Sequence, residues 1–176
     1  CGIWVDLPEP VGACTMSRTV RNSRDGRAMA GKTDFGRAVE AGLWAQAEWS
    51  GLKRLFEAGV PVPYPVQIDG REILMEFITD PDADATVAAP RLHQVRPDAA
   101  QLDALFDQLL SALRQMTGLG VVHGDLSPYN TLVAGADRLR PRLVIIDVPQ
   151  LVDLVANPNA IDFLHRDCTN MAQWFT

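Results

Sequence analysis

Lysine is almost missing from this chain of 176 residues: only Lys32 and Lys53 are present. Cysteine is nearly as scarce, at Cys1, Cys14 and Cys168. Three scattered thiols exclude a disulfide framework and a cysteine-based zinc site, and fit a reducing cytoplasm. No run approaches the roughly 18 apolar residues of a membrane helix, and no signal peptide is visible at the start. An excess of basic charge is missing too. The net charge of −6 and pI near 5.0 give no direct nucleic-acid signal, because such binders carry a basic footprint. Hydrophobic residues at 47% and charged ones at 22% describe an ordinary globular domain long enough to bury a core.

The chemistry lies in Val121–Val133, which reads VVHGDLSPYNTLV, and in its echo Leu143–Asp147, LVIID. The apolar runs read as short buried strands, and His123, Asp125, Ser127 and Asn130 fall on the loop between them. Singly, these residues have bland readings. A loop Asp or Asn commonly caps a turn, and a lone His is commonly a hydrogen-bonded structural residue. Jointly, a carboxylate, an amide five residues later and a second carboxylate after the next strand match what phosphoryl transfer needs. The first Asp orients or deprotonates the accepting hydroxyl; the Asn and second Asp hold the Mg²⁺ that bridges nucleotide phosphates.

Other segments supply the frame. Residues 1–34 carry no sustained period, and Arg18–Arg27 reads as a basic, exposed loop. Helical spacing covers residues 36–58, with Val39, Leu43, Ala47, Leu52, Leu55 and Phe56 on one face and Trp44 and Trp49 flanking it. Gly59 is the expected left-handed cap, followed by Pro61. Asp69-Gly70 marks a hairpin between residues 66–68 and 73–78. Residues 79–97 read as a polar connector, and 79 is the best domain boundary. A second amphipathic helix is expected over 98–117, stopped by Gly118 and Gly120. A third covers 159–175, with Asn159 as cap and Ile161, Phe163, Leu164 and Trp174 as core.

With those residues in view, the chain resembles the RIO-type atypical serine/threonine protein kinases, most of all the Rio1 branch in its bacterial form. The resemblance is carried by Arg21–Asp25, Phe35–Arg37, Leu55–Pro63, Ile73–Ile78, the HGDLSPYN loop, Ile146–Gln150 (IDVPQ) and Asp162–Asn170. It implies an α+β, protein-kinase-like fold of two lobes: residues 1–78 as a partial N-terminal lobe, and 79–176 as the catalytic lobe. It implies ATP and Mg as cofactors, Asp125 as catalytic-loop aspartate, and Asn130 and Asp147 as metal ligands. Asp147 would also accept phosphate transiently. On the nucleotide side stand Glu48, Met75, the hinge residues Glu76 and Ile78, and Ser127, Tyr129 and Asn130. A ribosome-related partner is implied by the resemblance alone; the protein substrate is not.

The sequence departs from the family at Pro128, where Glu is more usual, and at Pro149, where Ser is common. It also lacks the Gly-x-Gly-x-x-Gly loop and a strand lysine to pair with Glu48. The expectation is therefore an N-terminally truncated kinase or ATPase with weak turnover. Two alternatives are a small-molecule phosphotransferase of the aminoglycoside or choline kinase kind, and a non-catalytic nucleotide-binding scaffold.

Overall fold

The computed structural model describes residues 2–6, 34–80, 87–148 and 151–176. The Arg18–Arg27 loop, Lys32, Cys1, Cys14 and Pro149 lie outside the described residues, as does the side chain of Val39. The elements, in order, are β1 (Gly2–Asp6), α1 (Asp34–Glu57), β2 (Pro65–Asp69), β3 (Glu72–Glu76), a 3₁₀ turn (Leu92–Gln94) and α2 (Ala99–Gly118). They continue with β4 (Val121–Val122), β5 (Thr131–Ala134), β6 (Arg142–Ile145), β7 (Val152–Asp153) and α3 (Ala160–Phe175).

The expected hairpin forms: β2 and β3 pair antiparallel, with Gly70 at φ +59°. That conformation is open to glycine without the Cβ clash that other residues meet. The sheet has a third strand that the sequence did not reveal. β1 pairs antiparallel with β3, Gly2 opposite Glu76 and Asp6 opposite Glu72. Five residues ending among turn formers carry too weak a period to be told from loop. The two remaining sheets are antiparallel pairs, β4–β7 and β5–β6. All described pairing is antiparallel, as an α+β fold requires.

The helices lie within two residues of their expected bounds, but their buried faces differ. Among the described side chains of α1, Ala45, Glu48, Leu52 and Leu55 are buried, while Ala47 and Phe56 face outward. The helix turns to bring Glu48 inward, rotating the expected stripe. Gly59, at φ +80°, ends the segment as a left-handed cap. α2 buries Leu105, Leu109, Ala112 and Met116, with Phe106 at its rim. Its start is a capping box in which Asp98 and Gln101 bond each other's backbone N–H. On α3 Ile161 is 66% exposed, so it is not a core residue; Ala160, Asp167 and Met171 are. Asn159 makes no side-chain cap bond, and Asn157 Oδ1 accepts its N–H instead.

One apolar cluster runs through the molecule, from Leu52, Leu55, Val60 and Val62 through Leu92, Leu105, Leu109 and Met116 to Leu126, Leu143, Ile145 and Met171. A second, smaller one joins Ile78 and Ala89 to Ala134 and Val144. The 79–97 segment is therefore more than a connector. Leu92 and Val95 are core residues, and bridges join Thr79 to Ala88 and Arg91 to Leu132.

Candidate active site

β4 and β5 enter and leave the HGDLSPYN loop, and β6 delivers Asp147 beside it. The join is a backbone bond: Ile146 N–H donates to Asn130 C=O at 3.0 Å. His123, 1% exposed, locks the same two segments. Its Nδ1 accepts the Asp125 N–H at 3.3 Å, so Nε2 carries the proton and donates to Ile146 C=O at 3.2 Å. Burial holds its pKa below the ordinary range, against the Ile146 bond and the charges of Asp167, Asp147 and Asp125. This histidine is a neutral structural clasp.

Asp125 is exposed, and Asn130 turns its amide nitrogen towards it. Asn130 Nδ2 donates to Asp125 C=O at 3.0 Å and approaches Oδ2 at 3.4 Å. Both partners are acceptors, so the NH₂ end must face them and the amide oxygen is left to meet a cation. Asp147 is exposed and holds φ +62°, the only left-handed non-glycine among the described residues. Such a conformation costs on the order of 1 kcal/mol or more and persists only where the surroundings impose it.

Gly51 lies on the face of α1 that meets Leu151. A Cβ there would meet Leu151 Cδ1 at 2.7 Å. Glu48, one turn earlier and 4% exposed, has a buried Oε2 with no hydrogen-bond partner among the described residues. Burial first, and the like charge of Asp147 second, raise its pKa to about 7. Lys53 does not serve it, being exposed further along α1.

α3 supplies a buttress to the loop through a residue for which the sequence reading gives no role. Asp167, 1% exposed, accepts Gly124 N–H at 2.8 Å and Leu126 N–H at 3.0 Å. Arg166 donates to Gly124 C=O. Burial raises the Asp167 pKa, opposed by those two N–H bonds and by His123 and Arg166. Its signal was available: positions 160, 164, 167 and 171 form one helical stripe, and an acid on a buried stripe needs donors. A second buttress left no such signal. Arg91 donates to Tyr129 C=O, His93 N–H to Pro128 C=O at 3.2 Å, and Val133 N–H to Pro90 C=O at 2.9 Å.

Of the other sequence candidates, Ser127 supports the loop, its carbonyl accepting Asn130 N–H and Thr131 Oγ1–H, both at 3.0 Å. Tyr129 is 60% exposed and packs its ring on His93. Met75 lies in β3 opposite Ile3 and Pro65, and packs against the main core. Glu76 accepts Tyr64 N–H at 3.1 Å and pairs with Arg142 at 3.6 Å. Ile78 is buried and gives its carbonyl to Ala89 N–H at 2.8 Å.

Among the described residues no group of three or more His, Cys, Asp or Glu side chains converges to hold a metal. A hard cation taking the Asn130 oxygen, the Asp147 carboxylate, phosphate oxygens and water fits this donor set. Mg²⁺ characteristically keeps waters and takes only one or two carboxylates.

Known proteins resemble this chain in fold and in sequence. A solved Rio2 kinase from Chaetomium thermophilum, an ADP/Mg²⁺-phosphoaspartate complex, aligns with a TM-score of 0.67 at 25% identity. The alignment covers 92% of this chain and 45% of that one. The RIO-type serine/threonine-protein kinase Rio1 of Haloferax volcanii is 36% identical over 142 residues, covering 81% of this chain and 44% of its own length. The human serine/threonine-protein kinase RIO3 is 33% identical over 134 residues, covering 76% and 24%. The chain thus spans less than half the length of each of these relatives. The family model described as the RIO domain matches residues 13–176, and the chain belongs to that family.

Proposed function

We propose that this chain is the nucleotide-handling part of an ATP- and Mg²⁺-dependent serine/threonine kinase or ATPase. The observation that carries the reading is the Asn130 amide turned to Asp125, with the Ile146–Asn130 backbone bond bringing Asp147 alongside. Asp125 orients the attacking hydroxyl and takes its proton as the phosphoryl group transfers. Asn130 and Asp147 would hold Mg²⁺. Bound there, the ion neutralises phosphate oxygens and aligns them for in-line displacement. Glu76 C=O and Ile78 N–H would meet the adenine from the hinge, with Met75 behind them. We place the lobe boundary at 79, giving 1–78 and 79–176.

Asp147 could also be the acceptor, following the phosphoaspartate of the Chaetomium Rio2 complex. Its exposed, left-handed placement favours this second reading. A carboxylate oxygen would bond the γ-phosphorus while the bond to the β–γ bridging oxygen breaks, and ADP would leave with that electron pair. Water would then release inorganic phosphate and restore Asp147. The small-molecule phosphotransferase alternative loses its support with RIO membership. A reducing, ATP-containing compartment such as the cytoplasm suits the chemistry and the free thiol of Cys168.

The test is thermal denaturation with ATP, with and without Mg²⁺. At 100 times Kd a ligand of the folded state adds about 2.7 kcal/mol, or roughly 5–11 °C for a chain of this size. Mg²⁺-dependent stabilisation is expected, and its absence refutes the reading. Turnover should fall well below the ~1 s⁻¹ of an ordinary kinase, because Glu48 has no lysine partner among the described residues. Each electrostatic group aimed at the transition state supplies on the order of 2.7–4 kcal/mol. Stabilisation by ATP with no turnover at all would identify a scaffold.

A further inference from the structure

Beside the catalytic loop stands a face that the reaction itself does not use. The 3₁₀ turn brings Arg91 and His93 against it, Arg96 bonds back onto that turn, and Tyr129 rises from the loop onto it. The His93 and Tyr129 rings lie 4.2 Å apart between centroids, tilted by 31°. Tyr129 nevertheless leaves 60% of its surface in solvent. It sits four residues after Asp125 and directly before Asn130, so it flanks the point where an accepting hydroxyl must enter.

Both arginines are exposed and both are anchored. Arg91 gives one guanidinium N–H to Tyr129 C=O. Arg96 Nη1 reaches His93 C=O at 3.3 Å and Val95 C=O at 3.0 Å. Neither meets a carboxylate among the described residues, and a guanidinium has five N–H groups to offer. The nearest acid in sequence, Asp98, is occupied as the cap of α2. Two anchored cations that meet no carboxylate among the described residues, and an exposed ring, therefore stand on or next to the catalytic loop of a chain whose net charge is −6.

We infer that Arg91, Arg96 and the Tyr129–His93 pair form an acceptor subsite for a peptide segment carrying Asp or Glu beside its Ser or Thr. The inference rests on the phosphotransfer reading for the identity of the occupant. Anchored guanidinium forks match carboxylates and lose little freedom on meeting them. The exposed ring offers apolar surface to the peptide stem between its acids. A peptide suits the face better than a nucleic acid, since two arginines cannot offset a long polyanion approaching an acidic protein.

Fluorescence anisotropy with labelled peptides tests the inference on the full chain without needing turnover. The probes are one Ser peptide with Asp and Glu flanks, and its counterpart with Lys flanks. The acidic peptide should bind on the order of 10-fold more tightly, and less so as salt rises. R91K/R96K should keep the preference and R91E/R96E should reverse it. Equal binding of the two peptides, or a preference unchanged in R91E/R96E, overturns the subsite. So does a single-stranded RNA oligomer that binds more tightly than the acidic peptide and displaces it. If R91E/R96E does not melt cooperatively, R96E decides alone, because among the described residues Arg96 bonds only carbonyls of its own turn. An intact acidic preference in a chain that ATP and Mg²⁺ fail to stabilise would sink the phosphotransfer reading and leave a peptide-binding face.

Discussion

Glu48→Gln removes a buried carboxylate whose charge has no partner among the described residues, while keeping its shape. Burial, with the Asp147 charge behind it, raises the folded-state pKa from the ordinary 4.5 to about 7. At about 1.36 kcal/mol for each pKa unit, ionising Glu48 in the folded chain costs about 3 kcal/mol more than ionising it in the unfolded chain. Because the folded pKa is the higher one, the stability linked to its proton is fully present below pH 4.5. It is lost progressively as the pH rises towards about 7. The glutamine variant carries no such loss. Its stability should match the parent's below pH 4.5, pull ahead through the window up to about 7, and hold a lead of about 3 kcal/mol above it. For a chain of this length that lead is roughly 6–12 °C in Tm. Melting curves of both proteins across the pH range, without nucleotide or metal, give the difference directly. Other titrating groups cancel in that difference. Parallel pH profiles would refute the reasoning. A variant less stable than the parent above pH 7 would refute it more sharply, since a cation would then be paired with Glu48.

Asp147→Asn should abolish the Mg²⁺-dependent part of any stabilisation by ATP, checked by thermal shift with the metal present and chelated. Asp167→Ala leaves the buried N–H groups of Gly124 and Leu126 without their acceptor. At about 1–3 kcal/mol for each such group, it should destabilise by about 3 kcal/mol in urea denaturation and weaken nucleotide stabilisation as well. Cys168→Ser replaces an exposed thiol and should stay within about 0.5 kcal/mol of the parent in the same assay.

The sequence determined by itself what depends on local spacing. The apolar period located α1, α2 and α3, because each helix must bury a stripe of its own residues. Asp69-Gly70 and Gly59 marked their turns because few residues tolerate positive φ. The Asp125, Asn130 and Asp147 spacing pointed to the phosphoryl-transfer chemistry, since the catalytic loop and the strand after it are nearly contiguous in the chain.

Tertiary structure decided what depends on partners distant in sequence. The period of α1 favoured Ala47 and Phe56 inward, but the helix packs with Glu48 inward beside Ala45, Leu52 and Leu55, of which the two leucines meet the core residues of distant segments. The role of Asp167 follows from two N–H groups more than 40 residues earlier. Strand β1 exists through its pairing with β3, some 70 residues on. Arg91 stands on Tyr129 through a bond across 38 residues. A stripe or a turn is written in neighbouring residues, whereas burial of a charge and the anchoring of a loop are properties of the surfaces that folding brings together.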